Sequence, residues 1–147
     1  MKNIEQEFVP YVESLELKNL GFDEQCFGVY SITENFQFIQ EFENQQYINN
    51  SNEIIEKCKS ISCTAPLFQQ AFEYFRKKYK LEGLILPQDK SALLPLPSYF
   101  IAVISYRNQE WKELFNSTNE HTLLHYITNE DAELACLKKL IEIVKTL

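Results

Sequence analysis

The carboxyl-terminal segment 128–147, TNEDAELACLKKLIEIVKTL, constrains the fold more than any other part of the chain. Thr128 can accept a hydrogen bond from the N–H of Asp131, and Asp131 can reach back, an arrangement typical of a capping box. Acidic residues follow at once and lysines come later, as the helix dipole favours. The apolar residues recur at helical spacing and are Leu134, Leu137, Leu140, Ile141, Ile143, Val144 and Leu147. The segment therefore predicts a long terminal helix.

The apolar face of this helix is wider than packing on one side requires. On a helical wheel it covers about 180°, whereas a surface helix needs about 100°. Either sheet and helix pack on two sides of it, or a second copy of the chain covers the excess. We therefore predict self-association, with a homodimer formed through residues 128–147.

The composition excludes several classes of protein. A chain of 147 residues suits one domain, and its net charge of −7 argues against direct nucleic-acid binding, which calls for clustered Lys and Arg. No apolar run approaches the roughly 18 residues of a membrane-spanning helix, and residues 1–10 lack the apolar segment of a signal peptide. We expect a cytoplasmic protein with reduced cysteines and no membrane association.

The charge is distributed unevenly along the chain. Residues 1–57 carry eleven acidic and three basic residues, whereas residues 58–147 carry ten acidic and eleven basic residues. An acidic third of this kind is either a solvated face that aids solubility or a docking surface for a basic partner. Both alternatives stay open.

The first half of the chain predicts a short helix and a hairpin. Pro10 suits the first position of a helix, and Gly21 suits the left-handed residue after its end. Residues 26–32 and 36–42 are apolar runs around a short polar loop, which predicts a β-hairpin. The polar segment 43–60 predicts a long surface loop.

The second half predicts strands between two long helices. Thr64 is expected to cap a helix with the apolar stripe Phe68, Phe72, Phe75 and Tyr79, and Gly83 is expected just after its end. Residues 83–86 predict a short strand, 87–97 a proline-rich surface loop, and 98–106 a strand that pairs with 110–115. Together, these elements predict a single α+β domain over residues 1–147. Its antiparallel sheet is built from hairpins and packed by two long helices and one short N-terminal helix.

Tests for catalytic and metal chemistry are negative. His121 and His125 are the candidate metal ligands, but residues 121–126 predict a further strand, on which the two histidines stand about 13 Å apart, too far for one ion. Cys63 lies before a predicted helix start, where a thiolate would be stabilised, although a buried thiol is the simpler interpretation. No phosphate-binding loop or nucleophile motif is present. We expect neither enzymatic activity nor a cofactor.

Two segments suggest a binding surface. Arg76, Lys77 and Lys80 lie in or just after the last turn of the second helix, where they complement its dipole or contact an anion. The loop residues Leu93, Leu94 and Leu96 either fold over the core or present an apolar surface to a partner. A pocket between Arg76–Lys80, Tyr99 and Tyr106 would suit a signalling nucleotide.

Three segments resemble a family of uncharacterised small phage and prophage proteins. They are FVPYVESLELKNLGFDEQCFGVY at 8–30, APLFQQAFEYFRKKYKL at 65–81 and EDAELACLKKLIEIVK at 130–145. This chain departs from the family pattern at Gln25, where proline is expected, and at Tyr74, where tryptophan is expected. The resemblance implies a small cytosolic accessory protein and supplies no functional residues.

The leading hypothesis is therefore a phage-type accessory protein, an inhibitor or adaptor, that binds a host or phage protein in the bacterial cytoplasm. The alternative is a protein that binds or sequesters a signalling nucleotide. A metal-dependent enzyme is the third and least favoured hypothesis.

Overall fold

A computed structural model describes residues 3–38, 52, 59–88, 99–106 and 128–147. The chain divides into two compact units, Met1–Ala71 and Phe72–Leu147, here called the N-terminal and C-terminal units. Helices and antiparallel strands are both present, so the predicted α+β fold is confirmed. The strands form two sheets, one in each unit. The sequence predicts a single domain over residues 1–147, and this stays a prediction.

The short N-terminal helix is confirmed. A 3-10 helix, Ile4–Glu7, leads to α1, Tyr11–Asn19, and Pro10 is its N-cap, one residue earlier than predicted. Gly21 has a φ of 88°, as predicted for the cap after the helix. The N–H of Gly21 donates to the Lys18 carbonyl and that of Phe22 to the Leu17 carbonyl, each at 2.9 Å, which is a Schellman motif. Leu17 and Phe22 are both buried, so this cap also joins the core.

The sheet of the N-terminal unit has the order β2-β1-β3. Its strands are β1, Gly28–Ser31, β2, Phe36–Phe38, and β3, Ile61–Ala65, and all pairs are antiparallel. The predicted hairpin is confirmed for the residues described. Its loop is Ile32-Thr33-Glu34, in which Glu34 takes the left-handed conformation with a φ of 64°. Three-residue loops commonly need such a residue at this position.

The prediction that Thr64 caps the second helix is wrong. Thr64 lies in β3, opposite Val29, and is fully buried. The helix, α2, is Phe68–Tyr79, and the N–H of Leu67 before it donates to Gln70 Oε1 at 3.0 Å. A glutamine three residues after the cap position thus supplies the capping bond. The sequence pattern placed a long loop up to residue 60 and missed β3 altogether.

Gly83 does not cap the end of α2, contrary to the prediction. The chain leaves the helix through Lys80, whose φ is 58°. Gly83 lies inside β4, Leu81–Gln88, which pairs antiparallel with β5, Tyr99–Tyr106. The strand predicted at 83–86 is therefore longer, and Pro87 and Gln88 belong to it rather than to the loop predicted at 87–97. Proline is tolerated at a strand edge because only its N–H is missing.

The C-terminal helix, α3, is Asn129–Lys145, and the N–H of Asp131 donates to Thr128 Oγ1 at 3.1 Å as predicted. The helix packs on β4 and β5. Its buried residues are Ala132, Cys136, Leu137, Leu140, Ile141 and Ile143. They span about 180° of the helix. The chain itself thus covers most of the wide apolar face, whereas Leu134 and Val144 are half-buried and Leu147 is exposed. The homodimer stays a prediction.

Candidate functional site

The cations predicted to form an anion-binding cluster are engaged by their own chain. Arg76 Nε lies 3.3 Å from Glu82 Oε1, and Lys77 Nζ lies 2.7 Å from Glu73 Oε1. The hydrogen bond from Lys77, together with its charge, lowers the pKa of Glu73. Lys80 Nζ donates to the Lys77 carbonyl at 3.1 Å. These contacts support the interpretation that the cluster completes the carboxyl end of α2.

Tyr99 and Tyr106 do not come together in the way the predicted nucleotide pocket requires. They stand at the two ends of β5, opposite Gln88 and Leu81. Positions 99 and 106 are seven residues apart along an extended strand, which places them about 23 Å from each other. One small ligand therefore cannot lie against both positions.

The remaining predicted residues lie outside the described part of the chain. They are Leu93, Leu94 and Leu96 of the apolar loop and the candidate metal ligands His121 and His125. Among the residues that are described, no group of three His, Cys, Asp or Glu side chains could hold a metal ion.

The cysteines of the described segments are free and buried. Cys63 lies in β3 instead of at a helix start, and burial raises its pKa to about 11. Burial likewise raises the pKa of Cys26 and of Cys136 to about 12. The Cys26 thiol donates to the Glu24 carbonyl at 3.4 Å. The thiols therefore stay protonated at neutral pH, which does not suit a nucleophile.

One arrangement on α2 was missed from the sequence. Lys78 Nζ lies 2.9 Å from the Tyr74 hydroxyl and 5.2 and 5.4 Å from the ring centroids of Tyr74 and Tyr79. The spacing of four residues between Tyr74 and Lys78 could have indicated this contact. Burial raises the pKa of Tyr74, so the phenol stays protonated at neutral pH. We interpret the group as a cation–π contact that stabilises the helix end.

An aromatic cluster marks the β2 side of the N-terminal sheet, and we call Phe8, Phe36 and Phe38 the aromatic edge. The ring centroids lie 4.8 Å apart for Phe8 and Phe36, 4.9 Å for Phe36 and Phe38, and 5.7 Å for Phe8 and Phe38. Phe8 is buried, Phe36 is half-buried and Phe38 is 46% exposed. The aromatic edge thus leads from the core to solvent.

Glycine at position 28 makes the aromatic edge possible. A Cβ atom there would lie 2.6 Å from Phe36 Cε2 and 3.2 Å from the Cβ of Ala65. The Phe36 ring therefore lies over the glycine of the neighbouring strand. Tyr30 completes this face, because its ring is 5.8 Å from that of Phe36 and its hydroxyl donates to the Val9 carbonyl at 2.9 Å.

Acidic side chains flank the aromatic edge. Glu5 and Glu7 are exposed in the 3-10 helix that leads to Phe8, and Glu34 is exposed in the loop before β2. Burial, and to a smaller extent the charges of Cys63, Glu5 and Glu13, raise the pKa of Tyr30 to about 12. The arrangement offers apolar contact and negative charge.

Comparisons with known proteins add no relative. No family model, no curated protein and no solved structure matches the chain. Of the helices in the described segments, none is both long enough and apolar enough to cross a membrane.

Proposed function

We propose that the chain is a phage-type accessory protein that acts by binding another protein, and that the aromatic edge is its binding surface. The observation that carries the proposal is the exposure of Phe38, which is 46% exposed although its ring contacts two other phenylalanines. Aromatic side chains anchored in this way are enriched at the centres of protein interfaces. The resemblance to phage proteins supports the accessory role.

The acidic flank supports a basic partner. Charged residues around an apolar contact steer the encounter and select the partner more than they add affinity. A host or phage protein with a cationic surface is the partner we propose, in the cytoplasm of the bacterial host.

The experiment is affinity capture from infected host lysate with the wild-type chain, with Phe38→Ala and with Leu86→Ala. Leu86 is a matched control, because it is an apolar strand residue with 45% exposure in the C-terminal unit. We expect the wild type and Leu86→Ala to retain the same protein, and Phe38→Ala to lose it while circular dichroism shows an unchanged fold. Equal capture by all three chains would reject the aromatic edge as the binding surface.

The same preparation tests the signalling-nucleotide alternative. A nucleotide that binds only the folded chain raises its melting temperature. A raised temperature together with no captured protein would replace our proposal by that alternative.

A further inference from the structure

The backbone groups at the outer side of β2 point away from the sheet. The N–H of Ser31 donates to the Asn35 carbonyl at 3.0 Å, and the next pair of this type along the hairpin is Val29 with Gln37. In an antiparallel pair, hydrogen-bonded and non-hydrogen-bonded positions alternate. The N–H and C=O groups of Phe36 and Phe38 therefore face outward, away from β1.

The opposite edge of the same sheet is closed by side chains. The N–H of Thr64 donates to Asn52 Oδ1 at 3.0 Å, and Lys18 Nζ donates to the Ser62 carbonyl at 2.9 Å. Proteins commonly protect an edge strand in this way against pairing with another chain. On the β2 side, no described residue makes such a contact with Phe36 or Phe38.

The surroundings of the β2 edge select a cationic strand. Glu34 is exposed two residues before β2, and Glu5 is exposed in the 3-10 helix that leads to Phe8, whose ring contacts those of Phe36 and Phe38. Lys18 carries the positive charge within residues 3–38, and its ammonium group donates to the Ser62 carbonyl of β3. An extended segment that carries lysine or arginine would meet negative charge around this edge, and an apolar side chain on the face of Phe38 would meet its ring.

We propose that the outer edge of β2 receives an extended, basic segment of a partner protein as an additional strand. This inference rests on the proposed function and adds the mode of recognition. In strand addition, main-chain hydrogen bonds contribute the affinity and alternate side chains contribute the specificity. Phe36 and Phe38 would supply the main-chain groups, and Phe38 with Glu5 and Glu34 would supply the specificity.

The experiment follows amide hydrogen exchange by NMR in the presence of a short synthetic peptide that alternates lysine and valine. We expect the amides of Phe36 and Phe38 to exchange about tenfold more slowly when the peptide concentration is ten times its Kd. The amide of Thr64 should keep its rate, because it is already bound to Asn52. A peptide with glutamate in place of lysine is the control and should leave all these rates unchanged.

A variant carrying Glu5→Gln and Glu34→Gln tests the charge. Both side chains are exposed, so the fold should survive, and the Kd of the lysine peptide should rise about threefold or more. Unchanged exchange at Phe36 and Phe38 under saturating peptide, or equal binding of the glutamate peptide, would overturn strand addition. If lysate capture still depends on Phe38 in that case, the proposed function stands and only this mode of recognition fails. If capture is also independent of Phe38, both fail.

Discussion

Replacement of Gly83 by alanine should destabilise the C-terminal unit, because the added methyl group would collide with α3. An ideal Cβ atom at this position would lie 2.8 Å from Cys136 Sγ, 3.1 Å from Leu140 Cδ1 and 3.3 Å from Phe72 Cδ1. Favourable contacts between carbon atoms begin at about 3.5 Å, so the approach to Leu140 Cδ1 is about 0.4 Å too short, and the approach to the larger sulfur atom is closer still. Cys136 and Leu140 are fully buried and have little room to move.

The expected cost follows from two opposing terms. Overpacking of a filled core costs about 1–3 kcal/mol. Alanine in place of glycine within a strand recovers about 0.5–1 kcal/mol of conformational entropy. With the midpoint of each range, the net loss in the free energy of unfolding should be about 1 kcal/mol.

A double-mutant cycle with Cys136→Ala assigns this cost to the contact. Removal of the sulfur atom opens the space that the new methyl group needs, so the double variant should be about 1 kcal/mol more stable than the sum of the single effects predicts. Urea unfolding followed by circular dichroism measures each free energy. Cys63→Ala is the control, because Cys63 is equally buried but is not among the nearest neighbours of position 83. Additive effects with Cys136→Ala, or a Gly83→Ala chain as stable as the wild type, would refute the packing argument.

Three further expectations concern the N-terminal unit. Asn52→Ala should lower the free energy of unfolding by about 2–4 kcal/mol. The reason is that Asn52 Nδ2 donates to the Phe22 carbonyl at 2.7 Å and Asn52 Oδ1 accepts from the Thr64 N–H. A loss below about 0.5 kcal/mol in urea unfolding would contradict this. Glu34→Gly should raise the melting temperature by relieving about 1 kcal/mol of left-handed strain, and an unchanged or lower temperature would show that the loop is not strained. Stability should fall as pH rises from about 9 to about 11, because the unfolded thiol of Cys63 ionises near pKa 9.0 and the folded one only near pKa 11. Cys63→Ala should make that fall less steep without removing it, because the buried thiols of Cys26 and Cys136 have raised pKa values too; an equally steep curve in the variant would exclude a contribution from Cys63.

Features that depend on neighbours along the chain were determined by the sequence alone. The cap at Thr128, the left-handed residue Gly21 and the hairpin of β1 and β2 all rest on hydrogen bonds between residues a few positions apart. The long helix could be predicted for the same reason, since its capping residues and apolar spacing lie within one segment. Their energies are local, so the pattern of residue types is sufficient to predict them.

Features that depend on distant partners were decided only by the tertiary structure. Thr64 has a side chain suited to a helix cap, but pairing with Val29 and a hydrogen bond to Asn52 place it in a strand. Gly83 follows a helix in the sequence, yet it serves the close approach of α3, while Lys80 takes the left-handed conformation. The aromatic edge likewise needs Phe8 to reach β2. Contacts between residues far apart in the chain outweigh local propensity at each of these positions, and no local pattern records them.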